Sequence, residues 1–167
     1  LDERYGHVPL PGHVSSGASS MFKNILIPTD GSDVSRKAIK AGVKLAQSLG
    51  AKVTGYYAIP FLQPSEFGDG ELMNKEMVTR LDRLARTTGQ RYLDEIAEAA
   101  KEAGVAYAGL ITKPVITHEG ITDAAKKKRC DAIFIASRGR SELKKLLLGS
   151  VTQKVLAHSR VPVIVYR

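Results

Sequence analysis

Between strand-like and helix-like segments near its C-terminal end, the chain reads Ala136-Ser137-Arg138-Gly139-Arg140-Ser141-Glu142-Leu143-Lys144-Lys145-Leu146-Leu147-Leu148-Gly149-Ser150-Val151. Two features of this stretch suit an anion. Gly139 has no side chain to hold a ligand away from the backbone. Gly149-Ser150 opens a helix, where unpaired N–H groups and the positive end of the dipole coincide. Ser137 and Ser150 add hydroxyl donors, and Arg138 and Arg140 add fixed positive charge. The separation of Gly139 and Gly149 is long enough for an excursion that returns to the same mouth. The pattern is neither G-x-x-x-x-G-K-[ST] nor G-x-G-x-x-G. A glycine at a strand end and a Gly-Ser helix start also have structural uses, so the residues alone leave phosphate binding and loop architecture both open.

Other reactive residues are scattered. Asp30 is the acid best placed for the same mouth, either capping the turn before Ser32 or accepting hydrogen bonds from ligand hydroxyls. No partner base accompanies it, so a general-acid role is not expected. His118 opens a helical segment and reads as an ordinary loop histidine. His158 falls in the last turn of another helix, where a cation favours the dipole. Cys130 follows Lys126-Lys127-Lys128-Arg129, a run that complements a helix C-terminus and is solvated; burial beside a strand would oppose thiolate formation. His7 and His13 lack a cysteine or acidic cluster to complete a metal site. No nucleophile–base set, paired carboxylates or metal-ligand cluster assembles, so neither catalytic residues nor metal ligands are expected.

The elements that must position these residues alternate. Asn24-Ile25-Leu26-Ile27, closed by Pro28, reads as a strand. Ser32 is the N-cap of a helix carrying Val34, Ala38, Ala41, Leu45 and Leu49, with Gly50 at its C-terminal end. Residues 52–58 form a second strand, followed by a Pro/Gly-bearing loop over residues 59–70. A long helical pattern runs from about Glu71 to Ala103, with a kink or break expected at Gly89. Residues 105–112 read as a strand and 119–128 as a short helix. Asp131 to Ser137 is the clearest buried strand, and a helix over 150–158 leads to a closing strand over 161–166. Nearly continuous apolar strands separated by helices indicate a doubly wound, mostly parallel sheet covered on both faces. In such sheets a ligand lies beyond the carboxyl ends of the strands, where strand order reverses. That places the search just after strands one, two and four.

Composition sets the class. The chain has 167 residues, 43 % hydrophobic and 25 % charged, the balance of one soluble globular domain. No apolar run reaches the length of a membrane span. Cys130 is the single cysteine, which excludes an internal disulfide and fits a reducing cytosol; a cytoplasmic location is expected. A formal charge of +8 favours anionic partners without choosing among them. Residues 1–20 are rich in Pro, Gly and Ser and lack a secretory pattern. They read as a flexible extension, native or appended, ahead of a domain over 21–167.

The motif residues resemble those of the universal stress protein family, whose nucleotide-binding members carry G-x-x-G-x9-G-[S/T] after the fourth strand. The resemblance extends over 21–167, from Ile25-Leu26-Ile27-Pro28-Thr29-Asp30-Gly31-Ser32 to Leu148-Gly149-Ser150-Val151-Thr152 and Val161-Pro162-Val163-Ile164-Val165. It implies a five-stranded parallel α/β sheet of order 3-2-1-4-5, adenine nucleotide alpha-hydrolase-like, with ATP or AMP across the mouth and Mg2+ as a companion of the phosphates. It further implies a homodimer paired through the last strand, 161–166, and no dedicated enzyme activity. By the same resemblance Asp30 lies at the ribose with Pro28 and Thr29 beside it, and Ala58 offers backbone groups to the adenine edge. Gly139, Gly149, Ser150 and Val151 surround the phosphates through main-chain N–H groups, and Ala136, Ser137, Arg138 and Arg140 are counted with them as nucleotide-binding residues of the same loop.

One position departs from the motif. Its first glycine is Ala136 here, directly after Ile133-Phe134-Ile135, so an extended conformation and a methyl that narrows the pocket are expected. The favoured reading is a stress-response binding module for an adenine nucleotide, with an unknown regulatory protein as partner. The alternative is a nucleotide-free homodimeric scaffold. Slow ATP hydrolysis is a third reading. Nucleic-acid binding rests only on charge, with no aromatic strand face to support it.

Overall fold

The computed structural model describes residues 21–61, 75–139 and 148–167. The extension at 1–20, the loop over 62–74 and residues 140–147, Arg140 among them, lie outside the described residues. Five strands, β1 (Asn24–Pro28), β2 (Lys52–Ala58), β3 (Tyr107–Thr112), β4 (Ala132–Ala136) and β5 (Val163–Tyr166), form one sheet of order β3-β2-β1-β4-β5. All neighbouring pairs are parallel. The helices are α1 (Asp33–Leu49), α2 (Lys75–Glu102), α3 (Thr117–Lys127) and α4 (Ser150–His158).

β1 and β4 are buried along their whole length because alternate side chains enter two different cores. Ile25, Ile27, Phe134 and Ala136 face α1 and α2, meeting Ile39, Val43, Leu93 and Ile96. Leu26, Ile133 and Ile135 face α3 and α4, meeting Ile121, Ala124 and Val155. Each fully buried Ile, Leu or Val contributes about 1.5–3 kcal/mol. This two-faced burial is why β1 and β4 show unbroken apolar runs.

Local signals set most boundaries. Ser32 caps α1, its Oγ accepting from Ser35 N–H at 3.2 Å, and Gly50 ends the helix at φ 64°. β3 begins two residues later than the sequence suggests. Gly104 turns at φ 66°, and the Val105 N–H bonds back to Ala100 O at 2.8 Å, so Val105 belongs to the C-cap of α2. α3 starts at Thr117, two residues earlier than read. At the other end of the chain Pro162 lies before β5 rather than in it, and its carbonyl accepts from Ile133 N–H at 2.9 Å.

The break expected at Gly89 is not found: α2 runs through it. A Cβ there would lie 2.3 Å from the Tyr57 ring. The glycine makes room for an aromatic ring under an intact helix, and the cost in helix propensity is offset by that packing.

Candidate functional site

The register of the sheet opens a crevice. β1 pairs with β2 as far as Pro28↔Tyr56, and β4 pairs with β5 as far as Ala136↔Tyr166. β1 and β4 themselves pair only at Ile25↔Ala132 and Leu26↔Ile133. Beyond that point the two strands part, at the place where strand order reverses, and their carboxyl ends border a cavity of about 310 Å³. Its size is within the range of small-molecule sites.

Ten of the sequence-predicted residues wall this cavity: Pro28, Thr29, Asp30, Ala58, Ala136, Arg138, Gly139, Gly149, Ser150 and Val151. Gly139 comes up against Asp30, since a Cβ at position 139 would lie 2.6 Å from Asp30 Oδ2. The other carboxylate oxygen, Oδ1, accepts from Ser32 N–H at 3.0 Å, which ties Asp30 to the start of α1. Gly31 between them stands at φ 74° with its α-carbon against the Tyr92 ring, where an added Cβ would collide. Both the left-handed backbone and the close approach demand glycine there.

Two expectations change. Ser137 is buried and does not contribute to the cavity wall. Its N–H continues the sheet to Tyr166 O at 2.7 Å, and its carbonyl accepts from Gly149 N–H at 2.8 Å. The Gly149 amide is therefore committed to joining the two ends of the glycine loop, not presented to a ligand. The first turn of α4, from Ser150 through Thr152, brings the positive end of that helix to the wall. Ala136 is extended, within β4, and packs with the α1-side core while also bordering the cavity. Arg140 falls outside the described residues.

Other wall residues were not singled out from sequence: Ser35, Tyr56, Tyr57, Pro60, Thr117, Ile121, Ile135 and Thr152. Tyr56 and Tyr57 lie just before Ala58 in β2, whose carboxyl end was already expected at the mouth. Tyr56 Oη shares a hydrogen bond of 2.7 Å with Thr112 Oγ1. Burial pushes its phenol above the ordinary value, partly countered by that bond. Thr152 Oγ1 donates to Ala136 O at 2.9 Å, pinning the first turn of α4 to the end of β4. Ser35 Oγ donates to Thr29 Oγ1 at 3.2 Å.

Among the described residues no group of three His, Cys, Asp or Glu could hold a metal ion. His118 and His158 pack ring to ring at 5.3 Å between α3 and α4, and neither walls the cavity. Cys130 is buried, and that burial raises its thiol pKa, as expected for a packing cysteine. Among the described residues, the cleft brings together the Asp30 carboxylate, the Arg138 guanidinium, several hydroxyls and the first turn of α4.

Comparison with known proteins agrees with this architecture. The universal stress protein family profile matches residues 21–167. A universal stress protein of Methanocaldococcus jannaschii is 32 % identical over 151 residues, covering 89 % of this chain and 84 % of that protein. A second, from Bacillus subtilis, is also 32 % identical, covering 88 % of this chain and all of that protein. A solved member of the family from Burkholderia pseudomallei superposes with a TM-score of 0.68 at 24 % identity, covering 88 % of this chain and 97 % of that one. Two further solved universal stress proteins share the fold, each with a TM-score of 0.57: one is in complex with cAMP at 21 % identity, and one from Archaeoglobus fulgidus is in complex with dAMP at 17 % identity. They cover 89 % and 88 % of this chain and 99 % of each of their own. With the family profile spanning every described element and the curated relatives agreeing over most of their length, this chain belongs to the universal stress protein family.

Proposed function

We propose that this protein binds an adenine nucleotide in the cleft between β1 and β4 and serves as a stress-response binding module rather than an enzyme. The carrying observation is the parting of β1 and β4 beyond Leu26 and Ile133. It brings Asp30, Gly139 and the first turn of α4 to one cavity. The cAMP and dAMP complexes of proteins with the same fold support an adenylate as the ligand class. In this reading the sugar lies toward Asp30, the base toward Ala58 and the phosphates toward Arg138, Gly139, Ser150 and Val151. Mg2+ would accompany a triphosphate and be held by phosphate oxygens and water, with Asp30 as the carboxylate in the wall; this fits a hard cation that keeps much of its hydration.

The protein as a whole would act in the cytoplasm as a homodimer paired along β5. Among the described residues that strand ends the sheet, with no described strand along its outer edge, and Val163 to Tyr166 are only half-buried. One observation favours the second reading, a nucleotide-free dimeric scaffold: the Gly149 amide is already bonded within the chain.

Thermal unfolding with AMP, ATP and cAMP separates the two. Ligand at a hundred times its dissociation constant stabilises the folded state by about 2.7 kcal/mol, so AMP or ATP is expected to raise the midpoint by several degrees. No shift with any of the three at millimolar concentration refutes nucleotide binding and leaves the scaffold.

A further inference from the structure

We propose that the amino-terminal end of the sheet is a docking surface for the phosphate backbone of a nucleic-acid duplex, bound without regard to sequence. A formal charge of +8 names no partner by itself, but the fold gathers six cations at this end. Lys23 precedes β1, Lys52 opens β2, and Lys126, Lys127, Lys128 and Arg129 close α3. Lys52 N–H bonds to Lys23 O at 3.0 Å and Asn24 Nδ2 to Lys128 O at 2.9 Å, so the three segments lie side by side. Thr54 Oγ1 donates to Asn24 Oδ1 at 2.9 Å. Lys52, two residues before Thr54, leaves the same face of β2, on the side of the α3 terminus. The nucleotide cleft opens at the opposite end of the strands, so this inference stands apart from that reading.

The fold itself does not use this charge. Lys128 is half-buried and the other five are exposed. Among the described residues none of the six side chains enters an ion pair. Asp131 stands beside them, but its oxygens accept from Lys23 N–H at 2.8 Å and Asn24 N–H at 3.1 Å. A helix C-terminus favours cations, which accounts for part of the run on α3, but not for Lys23 or Lys52. Nor does it account for the residue type at 129. Arg129 stands at φ 52°, with its N–H on Lys126 O and the Cys130 N–H on Ala125 O. That is the left-handed cap position which glycine suits, so a strained backbone is kept together with a cationic side chain.

The kind of anion follows from what surrounds the charge. Protein interfaces are anchored by large apolar and aromatic side chains, and membrane surfaces take inserted apolar ones. Here Met21 is the exposed large hydrophobic residue nearest in sequence. The others described lie on α2, on α4 or beyond the carboxyl ends of β2 and β3. Single strands are held by aromatic stacking, and the neighbouring Phe22 packs against the α1-side core instead. A duplex backbone requires only spaced positive charge.

The test is fluorescence anisotropy of two labelled DNA duplexes of unrelated sequence, titrated with the full chain at about 50 to 200 mM salt. Wild type, Arg129→Gly and the double variant Lys126→Gln/Lys127→Gln are compared. With five or six phosphates engaged, log K should fall against log salt with a slope of about −5, alike for both sequences. The double variant should flatten that slope by about 2 and Arg129→Gly by about 1. Arg129→Gly should also raise the thermal midpoint, because glycine relieves the left-handed backbone. A gain in stability with a loss of duplex affinity is a pairing that a purely structural arginine would not give. A wild-type slope shallower than about −2, or one that neither variant changes, overturns the inference. So does displacement of the duplex by millimolar AMP, which would put the nucleic acid in the cleft. Binding to phosphatidylserine vesicles with none to either duplex assigns the surface to a membrane and overturns it as well.

Discussion

Substituting Gly139 by alanine tests the contact on which the site depends. The added Cβ would sit 2.6 Å from Asp30 Oδ2, where ordinary contacts are 3.4–4 Å. Backbone strain is not at issue, since the left-handed glycines among the described residues are Gly31, Gly50 and Gly104. The carboxylate must yield instead. It is the far end of a short side chain and half-buried, so it can turn, but turning pulls Oδ1 from the Ser32 N–H at 3.0 Å. The loss of that bond costs about 1 kcal/mol of stability, a fall in midpoint of about 2–4 °C for a domain of this size. The effect on ligand is larger. A hydrogen bond to a charged carboxylate contributes about 1.5–3 kcal/mol, so AMP affinity should drop by about 10- to 150-fold. Titration of AMP, paired with thermal unfolding of the same samples, reads both quantities. A folded Gly139→Ala protein that binds AMP as tightly as wild type refutes the placement of Asp30 at the ligand.

Gly89→Ala should destabilise the fold by about 1–2 kcal/mol, although alanine is the better helix former, because overpacking against the buried Tyr57 ring outweighs the propensity gain. Urea unfolding checks it, and a more stable variant would show that the ring moves aside freely. Tyr107 is a source of alkaline instability. Burial, with Asp94 adding to it, pushes its phenol from 10.0 up to about 12. The folded state thus holds the proton more tightly than the unfolded chain, so this contribution is intact below pH 10 and lost as pH rises from 10 to about 12. Tyr107→Phe, which also forfeits the 3.0 Å bond from Tyr107 Oη to Leu93 O, should be less stable at neutral pH and lose less on alkalinisation. A wild-type minus variant difference that stays constant across that range contradicts the assignment.

The fold was legible because its signals are local and mutually consistent. Ser32 and Gly50 bracket α1, and the apolar runs of β1 and β4 follow from burial on both faces. What sequence could not show was where a backbone amide is spent. Val105 looks like a strand residue, but its N–H closes the cap of α2. Gly149 looks like a phosphate donor, but its N–H closes the glycine loop onto Ser137. Both bonds depend on how the chain turns back on itself after a helix or a loop, which residue type does not encode. Gly89 misled for a related reason: its use lies in a ring from β2, far away in sequence. The cavity wall was found where the strand ends could be located, at Pro28 to Asp30, Ala58 and Ala136. It was incomplete where helix faces contribute, as with Ser35, Thr117, Ile121 and Thr152.

The two tyrosines just before the end of β2 give the molecule a built-in optical label. Tyr56 belongs to the core under α3 and α4 and Tyr57 to the core under α1 and α2, yet both reach the same cavity. The chain has 6 tyrosines and no tryptophan, so phenol emission is not drained to an indole acceptor. Whatever enters the cleft meets two of the six native chromophores directly, and the near-ultraviolet spectrum of the unmodified protein registers occupancy from both sides of the sheet.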